Sequence, residues 1–158
     1  MNAKLLALSI ALAPTFSLAQ DLPKSGTINF HTGWKLTPEV FEAPENRAVG
    51  HGSVVGSSFN DKGSGPLHQG PAVCVFTFLG HEGGAVNKGY CAFGDADGDR
   101  IFTDWDGKVT GKDERGINRI AGGTGKYKGI TGQGPWLCFA TPTPGAYNCK
   151  QSFEYKLP

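Results

Sequence analysis

The sequence predicts an all-β domain: a single eight-stranded antiparallel β-barrel held by two disulfides, with a two-sheet β-sandwich as the alternative. Three observations carry that expectation. Apolar residues recur at period two along most of the chain, while helical periodicity is almost absent. Glycine supplies 24 of the 158 residues, well above the usual ~7 %, without a collagen period and interleaved with aromatic and branched side chains. Such a mixture means short strands separated by turns and bulges. Cysteines stand at positions 74, 91, 138 and 149, an even set that reads as two bridges in an exported chain.

Export is expected from the first nineteen residues. Lys4 precedes an apolar run, Leu5 to Ala13, and Ser17-Leu18-Ala19 fits the small-x-small cleavage rule, so a signal peptide over 1–19 and a β-barrel domain over 20–158 are expected. A membrane anchor would need ~20 apolar residues, and Pro14 and Thr15 interrupt this run. The destination is then secreted or periplasmic. Without Lys4 the remaining chain carries fourteen cations against fourteen carboxylates, a neutral balance that gives no electrostatic reason to bind nucleic acid or an anionic membrane.

The strands follow in order. Ile28, Phe30, Thr32 and Trp34 alternate with polar neighbours in the first, and a Pro/Glu-rich connection is expected over Thr37 to Asn46. A glycine-studded strand spans Arg47 to Phe59, and Asn60 to Pro66 is loop chemistry throughout. Ala72 to Leu79 is a continuous apolar run, expected to be a strand buried on both faces, and His81 to Gly84 turns it back into Lys88 to Gly94. Asp97-Gly98 is the preferred two-residue hairpin turn. Folding about it pairs Asp95 with Arg100, Phe93 with Phe102, Cys91 with Asp104 and Tyr90 with Trp105, which juxtaposes opposite charges and aromatic rings. Gly116 to Ala121, Thr131 to Ala140 and Ala146 to Leu157 complete eight strands, a number that closes a small barrel and leaves no sheet edge exposed. A transmembrane barrel would need unbroken lipid-facing alternation in strands of ~10 residues with aromatic girdles, and here glycines break the alternation repeatedly.

Cys74 and Cys91 are equidistant from the His81–Gly84 turn, and Cys138 and Cys149 from Thr143-Pro144. Each pair is therefore expected to bridge its own hairpin.

Between the sixth and seventh strands lies the segment Gly122 to Gly134, AGGTGKYKGITGQG when read from Ala121. Thr124 can cap one helical turn through its hydroxyl, Gly129 can close that turn in the left-handed region, and Tyr127 and Ile130 would plug one end of the barrel. A phosphate loop would require Gly-x4-Gly-Lys followed by Ser or Thr, and Tyr127 follows Lys126 instead. The segment is expected to be architectural. Its Gly-Gly-Thr-Gly-Lys-Tyr-x-Gly-Ile-x-Gly pattern resembles the allene oxide cyclase-like and dirigent-like barrels, in which a comparable segment precedes a late strand of an eight-stranded barrel. The resemblance implies that fold. Members act as cyclases of oxidised fatty acids, guide phenoxy-radical coupling, or have no known activity, so it implies no single chemistry. Nothing outside the glycine segment matches well enough to carry a catalytic residue over.

Other constellations lead nowhere. Asp95, Asp97 and Asp99 alternate as calcium ligands would, but an EF-hand needs Gly where Arg100 stands and Glu where Asp106 stands, so a solvated hairpin tip is expected, with Asp95 paired to Arg100. His31, His51, His68 and His81 are scattered rather than convergent, so no metal site is expected. His51-Gly52-Ser53 is not a nucleophile elbow. No catalytic set and no cofactor are expected. The aromatic strand residues remain, with Phe30, Trp34, Tyr90 and Trp105 as candidate ligand-binding residues. An eight-stranded barrel either fills with side chains or holds one small ligand; core packing is the favoured reading of these aromatics, and a ligand-lined cavity is the alternative. The functional expectation is an exported, non-enzymatic barrel whose partner is a small hydrophobic molecule. An isomerase or cyclase and a structural or interaction role are the alternatives.

Overall fold

A computed structural model describes residues 22–111 and 113–158; the signal peptide expected over 1–19 lies outside these residues. The strands are β1 (Ser25–Ala43), β2 (Arg47–Asn60), β3 (Gly70–His81), β4 (Gly84–Gly94), β5 (Arg100–Thr110), β6 (Asp113–Gly123), β7 (Thr131–Ala140) and β8 (Ala146–Lys156). Each pairs antiparallel with the next, and β1 pairs with β8 from Ser25↔Lys156 to Lys35↔Ala146, which closes the barrel. Among the described residues no helix is long and apolar enough to cross a membrane. The bridges are Cys74–Cys91 and Cys138–Cys149, each between directly paired residues of one hairpin.

Three local expectations are corrected. The connection placed at Thr37 to Asn46 is mostly strand: β1 continues to Ala43 and turns at Glu45 and Asn46, both at positive φ (60° and 55°). Two left-handed centres make the turn that matches strand twist, although Glu-Asn does not advertise it. Pro38 is tolerated because Leu36 N–H, two residues earlier on the same side, donates to Gly145 O (2.7 Å), and β8 has left that side by residue 38. The hairpin at Asp97-Gly98 exists, but its register is one residue away from the expected one. Gly98 alone takes positive φ (94°), and Asp95 N–H donates to Asp99 O (2.8 Å) while Gly98 N–H donates to Asp95 O (3.1 Å). That is a three-residue loop with a glycine bulge. Phe93 therefore faces Ile101, Cys91 faces Thr103, Tyr90 faces Asp104 and Gly89 faces Trp105. Finally, β3 is buried on one face only. Ala72 and Cys74 point inward, whereas Val73, Val75 and Leu79 are 40–55 % exposed, because a barrel wall one layer thick has nothing packed outside it.

One barrel end is sealed. The single 3₁₀ turn Gly125–Tyr127 places Tyr127 and, beyond it, Ile130 in the core beside Leu67. Gly129 closes the turn at φ 78°, as its left-handed role required. Thr124 caps differently from expectation: its Oγ1 accepts from Arg100 N–H (2.9 Å), and the Asp99 carboxylate accepts from Lys126 N–H (3.0 Å) instead. The acidic hairpin tip is the receptor for this turn. Asp95, buried, accepts from Tyr127 O–H (2.6 Å) and from Leu67 N–H, and its cation is Lys126 (2.5 Å) rather than Arg100. Lys126 also reaches Asp97 (2.6 Å). Burial alone would lower the Lys126 ammonium, but the two carboxylates outweigh it and hold its pKa above the ordinary lysine value; the Lys126 hydrogen bond holds Asp97 below its own.

Candidate functional site

The other end of the barrel is open, and a cavity of about 320 Å³ runs inward from it. Its position follows from strand alternation, since even-numbered residues of β1 and β3 and odd-numbered residues of β4 and β5 point inward. Leu36, Pro38 and Val40 of β1, Phe76 and Phe78 of β3, and Val109 of β5 line its wall. Phe30, Phe93 and Phe153 stack edge-to-face beneath it (ring centroids 5.0–5.7 Å apart) and divide it from the plugged end.

All three tryptophans of the chain, Trp34, Trp105 and Trp136, line this cavity. Inward glycines make room for two of them. A Cβ on Gly116 would stand 2.7 Å from Trp136 Cζ2, one on Gly107 2.6 Å from its Cη2, and one on Gly89 2.9 Å from Trp105 Cε2. The indoles therefore pack directly on bare backbone, and the two meet edge-to-face at 5.4 Å. Three of the 24 glycines thus house these large rings in a narrow barrel. Both disulfides face the same space.

Polar groups in the cavity are few and uncharged but for one. On the floor side, Thr103 O–H donates to Asn118 Oδ1 (3.2 Å), Asn118 Nδ2–H to Gln151 Oε1 (2.9 Å), and Gln151 Nε2–H to Thr32 Oγ1 (3.0 Å). Nearer the mouth, Asn87 Nδ2–H donates to the Glu114 carboxyl. Desolvation raises the pKa of Glu114 above the usual carboxylic value, and the Asn87 bond opposes that rise only in part. Buried Asn87 Oδ1, Trp105 Nε1 and Trp136 Nε1 have no hydrogen-bond partner. Among the described residues no cluster of His, Cys, Asp or Glu could hold a metal.

Of the candidate ligand-binding residues, Trp34 and Trp105 line the cavity. Phe30 is fully buried and belongs to the aromatic stack under the floor. Tyr90 is 67 % exposed on the outer face; pairing it with Trp105 depended on the hairpin register corrected above, and a one-residue slip exchanges the faces. Sequence reasoning did not select Phe76, Phe78, Trp136, Asn118, Gln151 or Glu114 as binding residues. Phe76 and Phe78 were legible as alternate residues of one strand. Glu114 was hidden because the sixth strand was started at Gly116; extending its alternation by two residues puts Glu114 on the inner face.

No family model matches the chain, and no curated protein matches it in sequence. Solved structures do resemble it in fold. One is a protein of unknown function from the DUF3224 family of Shewanella oneidensis (TM-score 0.57, 16 % identity, 85 % of this chain and 99 % of that one). Another is the pterocarpan synthase dirigent protein (TM-score 0.52, 14 % identity, 95 % of this chain and 98 % of that one). At such identities the likeness is one of fold alone: the chain shares its eight-stranded barrel architecture with these structures.

Proposed function

We propose that this is an exported binding protein that holds one small hydrophobic molecule inside its barrel. The observation that supports it is the cavity itself: apolar walls, three tryptophans, one open end, and a volume at the lower limit of ordinary small-molecule pockets, roughly 300–1,000 Å³. A barrel built only for stability would fill that space with side chains. Two disulfides fit an oxidising compartment, in keeping with export. The test is titration with the neutral dye N-phenyl-1-naphthylamine, together with mass spectrometry of small molecules extracted from the exported protein. Saturable dye fluorescence, displaced by the extracted molecule, is expected. A protein that neither brightens the dye nor carries any extractable compound would overturn the reading.

A second reading, an isomerase or cyclase of the allene oxide cyclase type, is favoured by Glu114, a carboxyl whose raised pKa keeps it closer to its protonated, proton-donating form. Conversion of the extracted molecule on incubation with the protein, abolished by Glu114→Gln, would select it. Recovery of the molecule unchanged supports the binding reading.

A further inference from the structure

We infer that the molecule taken into this cavity is neutral and carries a carbonyl- or ether-type oxygen, held by the side-chain amides of Asn118 and Gln151. The inference rests on the cavity being a ligand site, and it adds the chemistry of the ligand.

The floor carries the argument. Asn118 and Gln151 are 3 % and 7 % exposed, and both line the cavity. An amide nitrogen has two hydrogens, and the chain from Thr103 to Thr32 uses one from each. Among the described residues the second hydrogen of each amide has no partner. A buried N–H without an acceptor is costlier than an oxygen with one of its two lone pairs empty. The floor therefore asks for an acceptor oxygen. The hydrogen-bonded chain fixes both amides in place, so a ligand would meet donors that are already oriented.

Charge sets the second half. No Lys, Arg or His lines the cavity, and its one acidic side chain, Glu114, lies four residues nearer the open end of β6 than Asn118. An organic anion would have to pass that carboxyl and would find no cation beyond it. An organic cation would have Glu114 near the mouth but would press against unpartnered donors at the floor. A neutral oxygen-bearing ring system meets neither obstacle, and its flat faces suit the indoles of Trp105 and Trp136.

Three probes of one shape separate the possibilities: 2-acetylnaphthalene, 2-ethylnaphthalene and 2-naphthoate, each followed at pH 7 by calorimetry on the intact protein. The ketone is expected to bind roughly fivefold to tenfold more tightly than the hydrocarbon, the effect of one or two added hydrogen bonds, and the carboxylate not measurably. Gln151→Leu should reduce the preference for the ketone, since Asn118 alone remains to donate, while the hydrocarbon still binds, which also shows that the variant is folded. Equal binding of ketone and hydrocarbon, or tighter binding of naphthoate, would overturn the inference and leave the binding reading standing. Failure of all three probes would count against the cavity as a ligand site altogether. The wild-type comparison decides the question even where a variant does not fold.

Discussion

Glu114 is a group the fold tolerates rather than needs. Its folded-state pKa lies above the unfolded value because burial disfavours the charge. A carboxyl raised in this way binds its proton more tightly when folded, so stability is full below the unfolded value of 4.5 and falls as pH rises through the folded one. Glu114→Gln keeps the oxygen that Asn87 bonds and removes the charge. Thermal melts should therefore show the variant more stable than the parent at pH 7 and equal to it at pH 4; equal melting at both would show that Glu114 is not desolvated. Gly107 makes the complementary point about space. Gly107→Ala would drive a methyl into the Trp136 indole and to 2.8 Å from Asn87 Oδ1. The expected loss is about 1–3 kcal/mol, the usual cost of overpacking, with a changed near-ultraviolet dichroism as the indole shifts. Glycine counts suggest turns, yet only the fold shows that Gly107 of β5 lies against a ring two strands further along the chain.

The plug segment behaves as its glycines implied, but its lysine does not. Gly129→Val should destabilise the fold by about 1–3 kcal/mol, the cost of a residue held in a sparsely populated backbone region, since Gly129 sits at φ 78° with Pro158 Cγ 3.0 Å from where a Cβ would be. The sequence pairs Asp95 with Arg100 and gives Lys126 no partner; in the fold Lys126 is the cation of buried Asp95. Lys126→Ala is thus expected to lower stability measurably in chemical denaturation, by about 1–2 kcal/mol once solvent screening of its exposed part is allowed for. The pH profile follows from the same contacts. Asp97 is depressed, so its contribution is present above its unfolded value of 3.8 and is lost as pH falls through the folded one; Lys126 is raised, so its contribution is present below 10.5 and is lost as pH climbs beyond it. Local chemistry made the turns visible, as at Asn60 to Pro66 and at Gly98. Register was harder, because an Asp-Gly pair serves both a two-residue loop and a three-residue loop, and these differ by one residue. The β1–β2 turn was missed for a related reason: Glu45 and Asn46 are not the residues such a turn prefers. Replacing them by Asn and Gly should add about 0.5–2 kcal/mol of stability, read as a higher denaturation midpoint.

Closure of the barrel through β1 and β8 gives the molecule two unlike ends. One is sealed by Tyr127, Ile130 and Leu67 over a carboxylate cluster, and the other is open above tryptophan walls. Strand count, the barrel and both bridges were legible in the sequence because period-two patterning and hairpin symmetry are local properties. The cavity was not, since its existence depends on how eight inward rows fill a common space. Both sulfur pairs look into that space. Cys74, Cys91 and Cys149 are each less than 10 % exposed, so a thiol reagent reaches them by entering the mouth or by waiting for the wall to open. On the binding reading proposed above, redox lability would follow occupancy, because a filled barrel would shut the same corridor that a reductant must use. Dithiothreitol reduction followed by alkylation should slow as N-phenyl-1-naphthylamine fills the cavity. A rate indifferent to the dye would mean that the bridges are reached by unfolding alone. In a compartment where thiol exchange is constant, cargo would act as the guardian of its own container.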